Sequence, residues 1–244
     1  MKVFDYDSFK TADYERDFWT GRDYEDSIER MALEKLLPIK GQRIIDIGGG
    51  YGRLTSTYID RFAEVTIFDY AASLLDKAKL KWGSNSKVAI VQGDLYALPF
   101  PDQHFDAVLM VRVMHHLDDV PRAFKEISRV IKPGGHFIFE YANKRNLLEI
   151  LRLISGRPNI QPFNKQPTER QPLYFNFHPA YIDEIVANSG FEKEKELSVS
   201  NFRMDLIKKI VSPLVLAQIE FALAGPLSIL KLSPSVIVRC RAVK

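Results

Sequence analysis

Cysteine is nearly absent: the 244-residue chain holds one, Cys240. A single thiol excludes any disulfide framework within the chain, so folding rests on apolar burial. The lack of bridges fits a reducing, cytoplasmic setting. An excess of charge is missing too. The 34 Lys and Arg stand against 31 Asp and Glu, a net +3, too little to point to nucleic acid by itself. The first stretch is acidic and aromatic, without the apolar core of a secretory leader. No uninterrupted apolar run approaches the roughly 18 residues of a membrane span. Repeats and low-complexity tracts are absent. What remains is 46% hydrophobic and 27% charged, an ordinary globular composition whose length suits one domain over 1–244 with cap elements.

The chain is organised around Ile44-Ile-Asp-Ile-Gly-Gly-Gly-Tyr-Gly-Arg53. An apolar strand over 43–47 runs into glycines at 48, 49, 50 and 52, where the backbone can turn sharply and pass close to a ligand. A helix opening near Gly52 and running to about Phe62 offers free N–H groups at its start. Open α/β sheets bind nucleotides at such a strand end. The dinucleotide fingerprint G-x-G-x-x-G fits badly, because its third glycine falls on Arg53 or Thr55. An NAD-dependent oxidoreductase is therefore disfavoured. The spacing that fits is D-x-G-x-G-x-G, from Asp46 through Gly48 and Gly50 to Gly52.

Strands and helices then alternate, which predicts a parallel sheet. Strand 65–69 ends on Asp69, next to Tyr70, and a carboxylate there can accept both hydroxyls of a ribose. Asp69 could equally cap the helix that starts near Ala71; its spacing from the glycine loop favours the ribose. Strand 88–91 leads into Gly93-Asp94-Leu95, where Asp94 can accept from an adenine amino group and the Leu95 N–H can donate to the ring. Strand 105–111 ends at Val111 and exits through Arg112-Val-Met-His115-His116. A helix over 118–131 and a strand over 136–141 follow.

Asp46 with its glycines, Asp69, and the Gly93-Asp94 run continuing to Leu98-Pro-Phe100 together resemble the class I S-adenosylmethionine-dependent methyltransferases of small-molecule, quinone-precursor type, over about residues 40–142. The resemblance implies a Rossmann-like sheet of seven strands in the order 3-2-1-4-5-7-6, the last antiparallel, with helices on both faces. It also implies S-adenosylmethionine as cofactor and S-adenosylhomocysteine as product. Asp46, Gly48, Gly49, Gly50, Asp69, Tyr70, Asp94, Leu95 and Val111 would line that cofactor.

The fit to the family fades outside this stretch, and three segments read as a cap. Residues 1–23 form an aromatic arm; in the resembling family the N-terminal segment often covers the pocket. Residues 142–177 read as a lid, with a short helix over Leu147, Leu148, Leu151 and Ile154, then a proline-rich irregular stretch over 157–172. Residues 205–232 are strongly apolar, interrupted by Pro213, Gln218, Glu220 and Pro226, and read as two short helices in the cap or at a homodimer contact. A helix from Pro179, an alternating strand over 191–203 and a strand over 236–243 complete the pattern. Residues 141–177 carry six bases against Glu149 and Glu169, which suits an anionic acceptor or an acidic surface.

Transfer to an oxygen acceptor requires a base near neutral pKa. His115 and His116, at the exit of the fourth strand, are the first candidates; His178, Tyr14, Tyr141 and Tyr174 follow. Adjacent histidines should point apart, and no carboxylate cluster has metal-ligand spacing, so a metal site is not indicated. Amino methylation of bases commonly uses an Asn/Asp-Pro-Pro-aromatic loop where this chain has Val111-Arg-Val-Met-His-His. Carbon-5 pyrimidine methylation requires a nucleophilic cysteine at the site. RNA is therefore the weaker acceptor class. A module that binds the cofactor without turnover stays open.

Overall fold

The computed structural model describes residues 18–202 and 205–243. Helix α1 (Asp23–Leu36) leads into strand β1 (Gly41–Ile47), whose last four residues are all buried. Then come α2 (Thr55–Tyr58), β2 (Phe62–Asp69), α3 (Ala72–Trp82), β3 (Val88–Gln92) and β4 (Phe105–Met110). The chain continues with α4 (Val120–Val130), β5 (Ile131–Ala142), α5 (Leu147–Ile154), β6 (Thr168–Gln171) and β7 (Tyr174–Asn176). It ends with α6 (Pro179–Asn188), β8 (Phe191–Val199), α7 (Asp205–Ile210), α8 (Pro213–Leu230) and β9 (Ser235–Ala242).

Seven strands form one sheet in the order β3-β2-β1-β4-β5-β9-β8. Strands β1 to β5 pair in parallel, and β9 runs antiparallel to both β5 and β8. Counted within the sheet this is the expected 3-2-1-4-5-7-6 with the last strand reversed. β1 lies between β2 and β4, so the connections leaving β1 and β4 diverge to opposite faces and open a crevice at their carboxyl ends.

Both faces of the sheet are covered, which is why the central strands read as continuous apolar runs. On one face Phe124 of α4 and Ile182 of α6 pack on Phe137, Phe139 and Phe191. On the other, Tyr24, Ile28 and Leu33 of α1 meet Ile44, Leu109 and Ile237, with Leu216 and Ala224 of α8 alongside. α4 begins where its sequence indicates: the Asp119 side chain accepts from the Arg122 N–H at 3.0 Å, and Pro121 stands in the first turn.

Three expectations need correction. The helix foreseen over 52–62 is one turn, Thr55–Tyr58, because the chain from Gly50 to Leu54 is taken up in tight turns that seat Gly52 beneath Trp82. The stretch 157–172 is not wholly irregular: β6 and β7 form an antiparallel hairpin through Leu173, which adopts a left-handed φ of 57°. Residues 205–232 are not two short helices. α7 has six residues, but α8 runs unbroken for 18 residues at mean hydropathy 1.6, long and apolar enough to cross a membrane by length and composition. Pro213 occupies the first turn of α8 and does not interrupt it. Glu220 is tolerated because it is fully buried and bonded, accepting from the Tyr24 hydroxyl and from the Asn201 backbone N–H at 2.8 Å. Most of the aromatic arm, including Phe4, Tyr6, Phe9 and Tyr14, lies outside the described residues; Phe18 and Trp19 lie within them.

Candidate active site

A cleft of about 1100 Å³, measured out to its mouth, opens at the carboxyl ends of β1, β2, β3 and β4. Asp46, Gly48, Gly49, Gly50, Asp69, Tyr70, Asp94, Leu95 and Val111 all line it. Residues spread over 66 positions of sequence (46 to 111) thus converge on one space.

The floor is the glycine loop. The Gly48 and Gly49 N–H groups both donate to the Phe68 carbonyl, at 2.7 and 3.1 Å, which ties the loop to the end of β2. Gly48 has φ +71°, and a Cβ there would run into Val113 at the β4 exit, so glycine is required on both counts. Gly52, the last glycine of the motif, serves packing instead. A Cβ there would strike the Trp82 indole, whose Nε1–H donates to the Gly52 carbonyl at 3.1 Å.

Asp69 bonds two backbone N–H groups at the cleft. One carboxylate oxygen accepts from the Gly50 N–H at 2.8 Å and the other from the Ala71 N–H at 2.9 Å. It therefore pins the glycine loop to the turn before α3, whose N-cap is Ala71. Tyr70 beside it is about half exposed. Asp94 accepts from the Tyr96 N–H at 2.9 Å and starts a single 3-10 turn over Leu95–Ala97. Asp46 lies deeper, 2% exposed, and accepts from the Tyr58 hydroxyl at 2.7 Å. Burial pushes its carboxyl up to about 7, against the Tyr58 hydrogen bond that pulls it down.

Of the two candidate bases, His116 lines the cleft and His115 is buried behind it. The rings do not point apart: their centroids are 4.2 Å from each other, and Tyr174 of β7 stacks 4.6 Å from His115. His116 Nδ1 lies 2.9 Å from the Leu173 carbonyl. A carbonyl only accepts, so Nδ1 carries the proton and Nε2 presents a lone pair. Burial holds the His116 pKa below its ordinary value, although the bond to Leu173 opposes this. His178 and Tyr141 do not line the cleft, and Tyr14 lies outside the described residues. His178 is the N-cap of α6, accepting from the Ala180 N–H at 3.1 Å. Tyr141 is 1% exposed within the core cluster on one face of the sheet. Cys240 is buried on β9, where burial lifts its thiol to about 12.

One wall was not foreseen. Arg53 and Arg112 line the cleft, and their guanidinium groups lie 3.7 and 4.9 Å from the centroid of the Trp19 ring. Both pair with Glu29 of α1, Arg53 at 2.6 Å. Burial alone would raise the Glu29 carboxyl; Arg112 and Arg53 outweigh it and hold the pKa low. Arg112 takes the left-handed φ of 60° at the exit of β4. The available signal was an arginine closing the glycine loop, Arg53, and another just past the end of β4, Arg112. Among the described residues, no group of three or more His, Cys, Asp or Glu is arranged to hold a metal ion.

Residues 45–139 match the family model of a methyltransferase domain. That stretch contains the glycine loop, Asp69, Asp94 and both histidines. The match covers 95 of the 244 residues, the stretch that builds most of the cleft.

The chain is 34% identical over 127 residues to the ubiquinone/menaquinone biosynthesis C-methyltransferase UbiE of Pseudomonas savastanoi pv. phaseolicola, covering 49% of this chain and 50% of that one. It is 36% identical over 116 residues to UbiE of Pseudomonas aeruginosa, covering 45% of each. The chain thus matches about half the length of these curated relatives. Solved structures agree on the fold. A chain of the complex between the Haloferax volcanii Trm112 methyltransferase activator and a methyltransferase superposes with TM-score 0.68 at 15% identity, over 100% of both chains. An S-adenosylmethionine-dependent methyltransferase from Mesorhizobium loti gives 0.61 at 19%, over 89% of this chain and 99% of that one.

The methyltransferase cofactor fits the donors and acceptors present. A cradle without Cβ atoms stands at Gly48, and Asp69 offers carboxylate lone pairs for ribose hydroxyls. Asp94 bonds the Tyr96 N–H through one carboxylate oxygen, and its other oxygen can accept from an amino group.

Proposed function

We propose that this chain is a methyltransferase that moves a methyl group from S-adenosylmethionine to a small, largely apolar acceptor. The observation that carries the reading is the convergence of the glycine loop, Asp69, Asp94 and Val111 on one cleft, with His116 at its edge. The cofactor supplies a methyl group on a sulfonium, a good leaving group, so the protein's work is alignment and exclusion of water. Asp69 and Tyr70 hold the ribose, Asp94 and Leu95 the adenine, and the loop at 48–50 the remainder. Leu117, Tyr96 and Val113 give the cleft apolar walls. His116 Nε2 takes the proton that an acceptor hydroxyl must lose as the new bond forms.

The relatives' names support a carbon of an electron-rich ring as the first acceptor to test, since deprotonation of a ring hydroxyl makes that carbon nucleophilic. The test is a labelled-methyl transfer screen over quinols, phenols, amines and carboxylates. Incorporation into a quinol or phenol, lost with His116→Gln, supports the reading. Binding of S-adenosylmethionine with no transfer to any acceptor class would instead favour a module without turnover. The fold alone does not choose between the two, since the [4+2]-cyclase SpnF shares it at TM-score 0.63 and 19% identity.

A further inference from the structure

Two helices turn apolar faces away from the core. In α5, Leu147, Leu148, Leu151 and Ile154 lie on one side and are each 52–76% exposed. Glu149 on the other side is buried, held by Arg152 at 2.6 Å and by Arg170. The helix is amphipathic but inverted, with its charge inward and its leucines outward. In α8 the exposed positions hold Leu, Val, Ile, Ala, Gly and Pro, with Gln218 as their one polar side chain. The opposite side of α8 is fixed to the fold through Leu216, Ala217, Glu220 and Ala224, so this helix lies on the sheet and cannot cross a membrane in this fold. The two helices abut: the Leu147 N–H at the start of α5 donates to the Leu232 carbonyl just after α8, at 2.8 Å.

Exposed apolar area on this scale is rare on a protein that meets only water, and the charges around it indicate what covers it. Between α5 and the hairpin, Phe163 is 57% exposed, flanked by Arg157 and Lys165. Both bases are exposed and form no ion pair among the described residues. The nearby carboxylates are already engaged, Glu149 by two arginines and Glu169 by the Leu173 N–H at 2.9 Å. A second copy of the chain would bring the same two cations and the same engaged carboxylates to the contact. Anionic headgroups supply the missing charge, and leucine and phenylalanine side chains enter the acyl boundary beneath them.

We infer that α5, the Phe163 loop and the outward face of α8 seat this chain on an anionic lipid bilayer. The segment that makes the contact is tied to a ring at the edge of the cleft. It begins at α5 and ends in the hairpin whose Leu173 carbonyl takes His116. The inference holds whether or not the chain transfers a methyl group.

Co-sedimentation of the full chain with vesicles tests it, using phosphatidylcholine alone and phosphatidylcholine mixed with phosphatidylglycerol. The chain is expected to pellet with the anionic vesicles, and the pelleted share should fall as salt rises. Leu148→Glu with Leu151→Glu should weaken binding at least tenfold. Arg157→Gln with Lys165→Gln should weaken it roughly fivefold per charge removed. Circular dichroism and S-adenosylmethionine affinity should stay as in the parent chain, because none of these side chains supports the core or lines the cleft. Failure to pellet with anionic vesicles, or pelleting that the double leucine variant leaves intact, overturns the inference. So does a soluble dimer that Ile219→Glu dissolves while vesicles are ignored.

Discussion

Asp69 uses both carboxylate oxygens on backbone N–H groups, at Gly50 and Ala71, before any ligand arrives. Its loss should therefore act twice, removing the acceptor for the ribose and loosening the loop beneath. Asp69→Ala is expected to weaken S-adenosylmethionine binding by about 1–3 kcal/mol by calorimetry; unchanged affinity would remove the ribose assignment. His116 acts on a different quantity. With Nδ1–H fixed on Leu173 and a depressed pKa, the imidazole is neutral at pH 7. Turnover should stay flat at neutral pH and fall only well below pH 6.5 as Nε2 protonates. His116→Gln should lower kcat by roughly 10²–10⁴ with cofactor affinity unchanged. Asp46 titrates in the opposite sense from a paired surface carboxylate. Its folded pKa lies above its unfolded value, so the folded state holds the extra proton between about 4 and about 7. Stability from this group is present at low pH and is lost as pH rises through 7. Asp46→Asn should remove that slope, so its stability relative to the parent improves between pH 4 and pH 8 by on the order of 3 kcal/mol. Denaturant titration at both pH values measures the difference.

At the scale of elements, α1 is joined to the exits of β1 and β4 by one buried carboxylate. Glu29 is 1% exposed and takes both Arg53 and Arg112, which in turn hold Trp19 against the cleft. Removing the Glu29 charge takes that carboxylate from Arg112 and leaves Arg53 with Asp26. Glu29→Gln is expected to cost about 3–5 kcal/mol in a denaturant melt. Glu64→Gln, at the exposed Arg43 pair, should cost less than about 1 kcal/mol. Equal losses at the two sites would show that Glu29 is no more than a surface partner. The hairpin β6–β7 is the second device at this scale. It has few contacts of its own but presents Leu173 and Tyr174 to the two histidines, so it sets the tautomer of His116 from outside the parallel sheet.

For the whole molecule, the cleft joins four strand ends, and a ligand that bridges them stabilises the folded chain against the unfolded one. At a concentration near a hundred times its dissociation constant, S-adenosylmethionine should add about 2.7 kcal/mol. In a chain of this size that raises Tm by roughly 5–10 °C. NAD at the same concentration should leave Tm unmoved, because the loop lacks the third glycine of the dinucleotide fingerprint. A shift with NAD and none with S-adenosylmethionine would reverse the family's cofactor for this chain.

The sequence by itself determined the parallel sheet and nine residues that line the cleft. Strand periodicity, the turn chemistry at Gly48 and the carboxylates at Asp69 and Asp94 are local signals, written within a few residues of each strand end. Those nine could be named because each lies at or just beyond such an end. Only the tertiary structure decided which histidine faces the cleft, that Glu29 binds Arg53 and Arg112 from 24 and 83 positions away, and that residues 168–176 pair as a hairpin. It also decided that α8 is one helix with an apolar outer side. These features depend on contacts between distant segments. In α8 the pattern of apolar residues is nearly uniform around the helix, so periodicity could not say which side would be buried; packing against Tyr24 and the sheet did.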